Sequence, residues 1–188
     1  MKSLKLIAVF FLVMTSLSHA STAEIFRKSY YDSYREGQCG LNVLNFFERL
    51  ETEGEDISGL SMVYVENKGT SVFGMVNAEK ARTKLNGQLA TEEKNWYHHQ
   101  FAIDNKGIVY DFDYSNNPTP TPFKEYIESM FLNENECSNP KPAEFCGGRK
   151  EKLNDYQLKF FDAAGVMQGN EPSYWSGNLG QAMVKFKN

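Results

Sequence analysis

Apolar side chains recur along this chain at two different periods, and the switch between them outlines the elements. From residue 40 to 52, Leu41, Leu44, Phe47 and Leu50 return every three residues, with Val43 and Phe46 widening the stripe and Glu48, Arg49 and Glu51 off it. That spacing predicts an amphipathic helix, which Glu53-Gly54 ends. Leu60 to Val65 reads as a strand and Ser71 to Val76 as another, while Ala78 to Leu85 has helical spacing stopped by Asn86 and Gly87. Ala90 to Asn95 is a charged loop. Period two then takes over: aromatic and β-branched residues flank Asn105-Lys106-Gly107, predicting a hairpin of Trp96 to Asp104 and Ile108 to Asp113. After a turn-rich exit from Ser115 to Pro120, Thr121 is expected to cap a helix opened by Pro122. Its buried stripe is Phe123, Tyr126, Ile127, Met130 and Phe131.

Residues 133–148 form a polar, proline-containing loop, and Tyr156, Leu158 and Phe160 alternate as in a strand. Glu171 to Gly180 reads as irregular, and Ala182 to Phe186 as a final edge strand. At the other end, Ser21 to Gly37 predicts a lead-in segment with a short helix, packed outside the core. No repeat or linker divides the chain, so residues 21–188 are expected to form one domain of α+β class.

The first twenty residues change the setting. Lys2 and Lys5 precede the apolar run Leu6 to Met14, and Ser18-His19-Ala20 is a small-x-small cleavage pattern, the layout of a secretory signal peptide. A secreted or periplasmic protein is expected, with no membrane association after cleavage. Loss of the two lysines takes the formal charge from −4 to −6. With no basic tract left, nucleic acid is not an expected partner. Loss of His19 leaves His98 and His99 as the only histidines. Of the three cysteines, Cys39, Cys137 and Cys146, the last two flank the proline-containing loop and are expected to close it as a disulfide, leaving Cys39 reduced.

These residues suggest a chemistry. Side chains two apart on a strand share a face, so His99 lines up with Phe101 and Ile103, aimed at the core, and His98 with Gln100 and Ala102. Cys39 stands at the start of the first amphipathic helix, where unpaired N–H groups and the helix dipole favour an anion such as a thiolate. Gly37 and Gly40 let the backbone turn there. A nucleophile, a base and a carboxylate on the neighbouring strand make a triad. Other readings remain: Cys39 as an inert buried thiol, or Asp113 as a solvated edge charge. A metal site of Cys39, both histidines and Asp111 is disfavoured, because adjacent residues on a strand point opposite ways.

The order cysteine on a helix, histidine on a strand, aspartate on the next resembles papain-like thiol hydrolases and their transglutaminase-like relatives. Locally, Trp96-Tyr97-His98-His99 resembles the Trp-x-Tyr-His of protein N-terminal glutamine amidohydrolases and bacterial protein-glutamine glutaminases, and Val109-Tyr110-Asp111-Phe112-Asp113 is similar to the amidohydrolases' Ile-Tyr-Asp-Leu-Asp. The Gly-Gln-Cys-Gly around Cys39 differs from the amidohydrolases' opening, and here the tyrosine precedes His98. The resemblance implies a papain-like or transglutaminase-like core, a Cys-bearing helix packed on an antiparallel sheet. It implies Cys39 as nucleophile, His99 as base and Asp111 as orienting carboxylate, and the face argument selects the same histidine. Gln38 is a candidate oxyanion donor, and Trp96, His98 and Asp113 are expected to line the substrate. The expected activity is deamidation of glutamine in a protein or peptide by a monomer without cofactor. Alternatives are a thiol peptidase or acyltransferase on the same triad, or a secreted binding domain.

Overall fold

A computed structural model describes residues 20–67, 73–74, 95–96, 98–114, 117–131, 156–169 and 173–186. Among the described residues, five α-helices pack on a six-stranded antiparallel sheet, so the protein is of α+β class. The central strand is β1 (Leu60–Asn67), which pairs with β4 (His98–Asp104) on one side and β7 (Tyr156–Asp162) on the other. Beyond β4 lie β5 (Ile108–Tyr110) and β6 (Thr121–Pro122), and beyond β7 lies β8 (Trp175–Asn178), giving the order β6-β5-β4-β1-β7-β8. A separate two-stranded ladder joins β2 (Phe73–Gly74) to β3 (Asn95–Trp96).

Both faces of the sheet are covered, because β1 is apolar on both. Val63 and Val65 join Phe101, Ile103, Leu158 and Phe160 in one core, closed by α3 (Phe123–Phe131) and α5 (Leu179–Lys185). Leu60 and Met62 join Ala102 and Tyr110 in the other, closed by α1 (Thr22–Ser33), α2 (Cys39–Thr52) and α4 (Ala163–Met167). Gly54, at φ 83°, turns the chain just after α2 in a conformation glycine adopts without strain.

Four expectations are corrected. The lead-in helix α1 does not lie outside the core: Ile25 and Phe26 are fully buried, and Phe26 meets Phe46, Tyr110 and Phe112 edge-on. Ser21 and Glu24 form a reciprocal capping box that starts this helix. The aspartates 111 and 113 lie beyond the end of β5, because the Asp113 N–H bonds Asp111 Oδ1 at 2.8 Å and curls the chain off the ladder. Thr121 and Pro122 pair with Val109 and Ile108 as an edge strand, where proline's missing N–H costs nothing, and the helix begins at Phe123. Finally, the segment read as irregular contains β8, and the expected edge strand is helix α5, started by the Asn178–Gln181 capping box. The predicted signal peptide through His19, the helix over 78–85 and the Cys137–Cys146 bridge lie outside the described residues.

Candidate active site

The β4–β5 turn builds one wall of the site. Asp104 Oδ1 accepts the Lys106 and Ile108 N–H groups at 2.9 Å each, and Gly107 takes φ 77°, as the predicted hairpin requires. β5 then pairs with β4 only at Ala102 and Ile103. Beside His99 there is therefore no β5 partner, and that flank of β4 is open to other groups.

The start of α2 builds the second wall. Asn42, buried, donates to the Arg35 carbonyl at 2.8 Å and accepts the Arg35 N–H at 2.9 Å, clamping the loop that leads to Cys39. Gly37, at φ 75°, turns that loop. Gln38 occupies the N-cap position, is exposed and makes no side-chain cap hydrogen bond, so its amide is not engaged in capping the helix. Cys39 opens α2 and is a free thiol, 8 % exposed.

His99 is fully buried in the row of Phe101, while His98 is exposed and stacks on Tyr64 with ring centroids 5.0 Å apart. The two histidines thus point opposite ways, as strand geometry requires. His99 Nε2 lies 3.0 Å from Asp111 Oδ2, both side chains out of solvent. Burial, the largest influence, pulls the imidazole's pKa down. The Asp111 carboxylate and the Cys39 sulfur, each acting by charge and by hydrogen bond, outweigh it and hold His99 well above its ordinary value. With Nε2 committed to Asp111, Nδ1 is the ring atom left to share a proton with Cys39. The main body of α2 packs on the opposite face from His99, so this approach uses the open flank of β4.

The carboxylates are arranged more closely than the strand register alone would give. Continuing the Ile103–Val109 pairing would set Asp113, not Asp111, opposite His99. The turn at Asp111 reverses this choice. Asp111 Oδ2 also accepts the Tyr126 hydroxyl at 2.7 Å, and Asp113 Oδ1 accepts the Tyr34 hydroxyl at 2.6 Å. Asp113 is 2 % exposed and faces the interior, so it is neither a solvated edge charge nor placed at a substrate surface. His99, Asp111 and Asp113 bring one donor atom each within 4.8 Å. Three of the four carboxylate oxygens already accept protein N–H or O–H donors, so the group is built as a hydrogen-bond network.

No protein-family model matches this chain, and no curated protein matches it either.

Two cavities matter for access. The larger, about 600 Å³, lies at the far end of the sheet around Ser58–Ser61, Asp104–Gly107 and Lys185, away from His99. The smaller, about 260 Å³, is lined by Met62, Tyr64, Gln100, Lys159, Phe161 and Val166. Of the two, the smaller lies nearer the thiol. The Tyr64 phenol is raised by partial burial, then by Glu66 and then by Cys39, and the Gln100 side chain lies against Gly40. A Cβ at Gly40 would run into Gln100 Oε1, the far end of that side chain. Gly40→Ala is expected to push Gln100 aside and lower turnover by about 10²-fold. Its thermal midpoint should hold or rise, since alanine favours a helix by about 1 kcal/mol over glycine. Unchanged turnover in this variant would remove Gln100 from the site.

Of the expected site residues, the structure joins His99 to Asp111 and sets Cys39 near enough to raise the ring's proton affinity, with Gln38 next to the thiol in the chain. Trp96 lies in β3, paired through its backbone with Phe73, and is not shown at the site. Tyr34 and Tyr126 were not legible as site residues, because where a tyrosine hydroxyl ends depends on the tertiary fold.

Proposed function

We propose that this chain is a cysteine-dependent amidohydrolase that converts glutamine side chains of proteins or peptides to glutamate, on a papain-like or transglutaminase-like core. The observation that carries the reading is a fully buried imidazole bracketed by a carboxylate and a thiol, each of which raises its basicity. In the proposed reaction His99 takes the Cys39 proton, so that sulfur attacks as a thiolate and the ring becomes an imidazolium.

The thiolate attacks the carboxamide carbon, forming the S–C bond and moving the π electrons onto oxygen. The Cys39 N–H and the Gln38 amide are the donors for that oxyanion, since α2 has no side-chain cap to occupy its first N–H groups. The imidazolium delivers its proton to nitrogen, the C–N bond breaks and ammonia leaves. The neutral imidazole then takes a proton from water, hydroxide adds to the thioester, and the S–C bond breaks to give glutamate and the thiolate. Asp111 holds the ring in place throughout. No step calls for a cofactor. The signal-like first twenty residues support export of this activity from the cytosol.

Incubation with a glutamine-containing protein, scoring ammonia, new glutamates, chain cleavage and crosslinks separately, tests the proposal. Ammonia and glutamate in equal amounts, unaffected by chelator, are expected. Cleavage or crosslinks in their place would assign the same triad to a peptidase or an acyltransferase, and none of the four would leave a binding domain.

A further inference from the structure

Asp111 uses one oxygen for two partners. Oδ2 meets His99 Nε2 at 3.0 Å and the Tyr126 hydroxyl at 2.7 Å, while Oδ1 is held by the Asp113 N–H. All of these side chains are buried, and the Tyr126 ring is fixed between Phe101 at 4.9 Å and Tyr114 at 5.3 Å. A hydroxyl donating to an ionised carboxylate draws off part of the charge that would otherwise hold the imidazolium. We propose that Tyr126 is a positioning residue that divides Asp111 Oδ2 with His99 and so sets how firmly the carboxylate holds the imidazolium.

Among the described residues, the titratable groups around His99 and Asp111 are Cys39 from α2, Tyr126 from α3, Asp113 and Tyr114 after β5, and, through Asp113, Tyr34 at the end of α1. His98 lies on the other face of β4. Tyr126 is suited to the task because burial first, and then the charges of Asp111 and Asp113, hold its phenol well above the ordinary value. The hydroxyl therefore stays a donor across the working range. A tyrosine serving only as core packing would keep its ring role in Tyr126→Phe and leave the imidazole's titration where it was.

This inference deepens the amidohydrolase reading and rests on it for its kinetic arm only. The chain holds three histidines, His19, His98 and His99, so labelled imidazole resonances, assigned by comparison with His19→Gln and His98→Gln, report His99 directly, with or without activity. In Tyr126→Phe the His99 titration is expected to move up by about 0.5–1 pH unit, a roughly three- to tenfold change in proton affinity. The basic limb of the kcat/KM profile should move with it, kcat should fall about tenfold and KM should hold. An unmoved or lowered His99 titration in folded Tyr126→Phe overturns the inference. Should that variant not fold, 3-fluorotyrosine at position 126, a stronger donor, is expected to lower the titration instead, and no shift or a rise there counts equally against it. A shifted resonance in a protein without glutamine activity would keep the inference and sink the proposed reaction.

Discussion

Cys39→Ser is expected to lose glutamine conversion by at least ~10³-fold while keeping the fold and the parent's thermal midpoint. Oxygen replaces sulfur with little change of volume at a position 8 % exposed, so packing has small reason to respond. The chemistry responds strongly, because serine's hydroxyl does not become an anion beside an imidazolium as a thiol does. Mild alkylation of the folded parent offers the complementary reading: rapid labelling at mildly acidic pH, where ordinary thiols are slow. Serine in place of Cys39 with the activity intact would end the mechanism.

Removing the carboxylate should be the most damaging change to the scaffold itself. Asp111→Ala leaves the His99 ring, the Tyr126 hydroxyl and the Asp113 N–H without the acceptor they share, inside the protein. Breaking a buried charged pair by deleting one member costs about 3–5 kcal/mol. Asp111→Asn keeps the shape, is expected to lower kcat by on the order of 10³-fold, and isolates the electrostatic part. His99 is raised in the folded protein from an ordinary value of 6.5, so the stability it confers is complete below that pH. It is lost as pH climbs through the elevated folded value. The stability gap between the parent and Asp111→Asn should accordingly be widest in mildly acidic solution and narrow from about pH 6.5 upward. Chemical denaturation across that range measures it. A gap that stays level or widens would mean that Asp111 does not hold a charged imidazole.

Where one period dominates, sequence and structure agree. The segment from Leu41 to Leu50 forms α2, with its buried side on Val43, Phe46, Phe47 and Leu50 and Leu41 left exposed; alternation places His99 inward, and Tyr156, Leu158 and Phe160 form β7. The hairpin was legible because Asp104 and Gly107 fix its turn locally. The misreadings occur where a local hydrogen bond competes with pattern. Ala182 to Phe186 is short enough to pass for a strand, and only the Asn178–Gln181 cap decides for helix. Asp111 looked like a strand residue until its own side chain captured the Asp113 N–H. The aromatic lead-in looked peripheral because its stripe, Ile25, Phe26 and Tyr30, is narrow and interleaved with charge. Its Ser21-x-x-Glu24 spacing carried the signal that a helix begins there.

The Tyr34–Asp113 hydrogen bond joins residues 79 positions apart, and between them lie the thiol and the imidazole. A nascent polypeptide, in which these segments have not yet met, carries a cysteine with no base and no steadying charge. Under the proposed chemistry such a chain would be inert toward its neighbours, and catalysis would switch on only when the completed molecule folds.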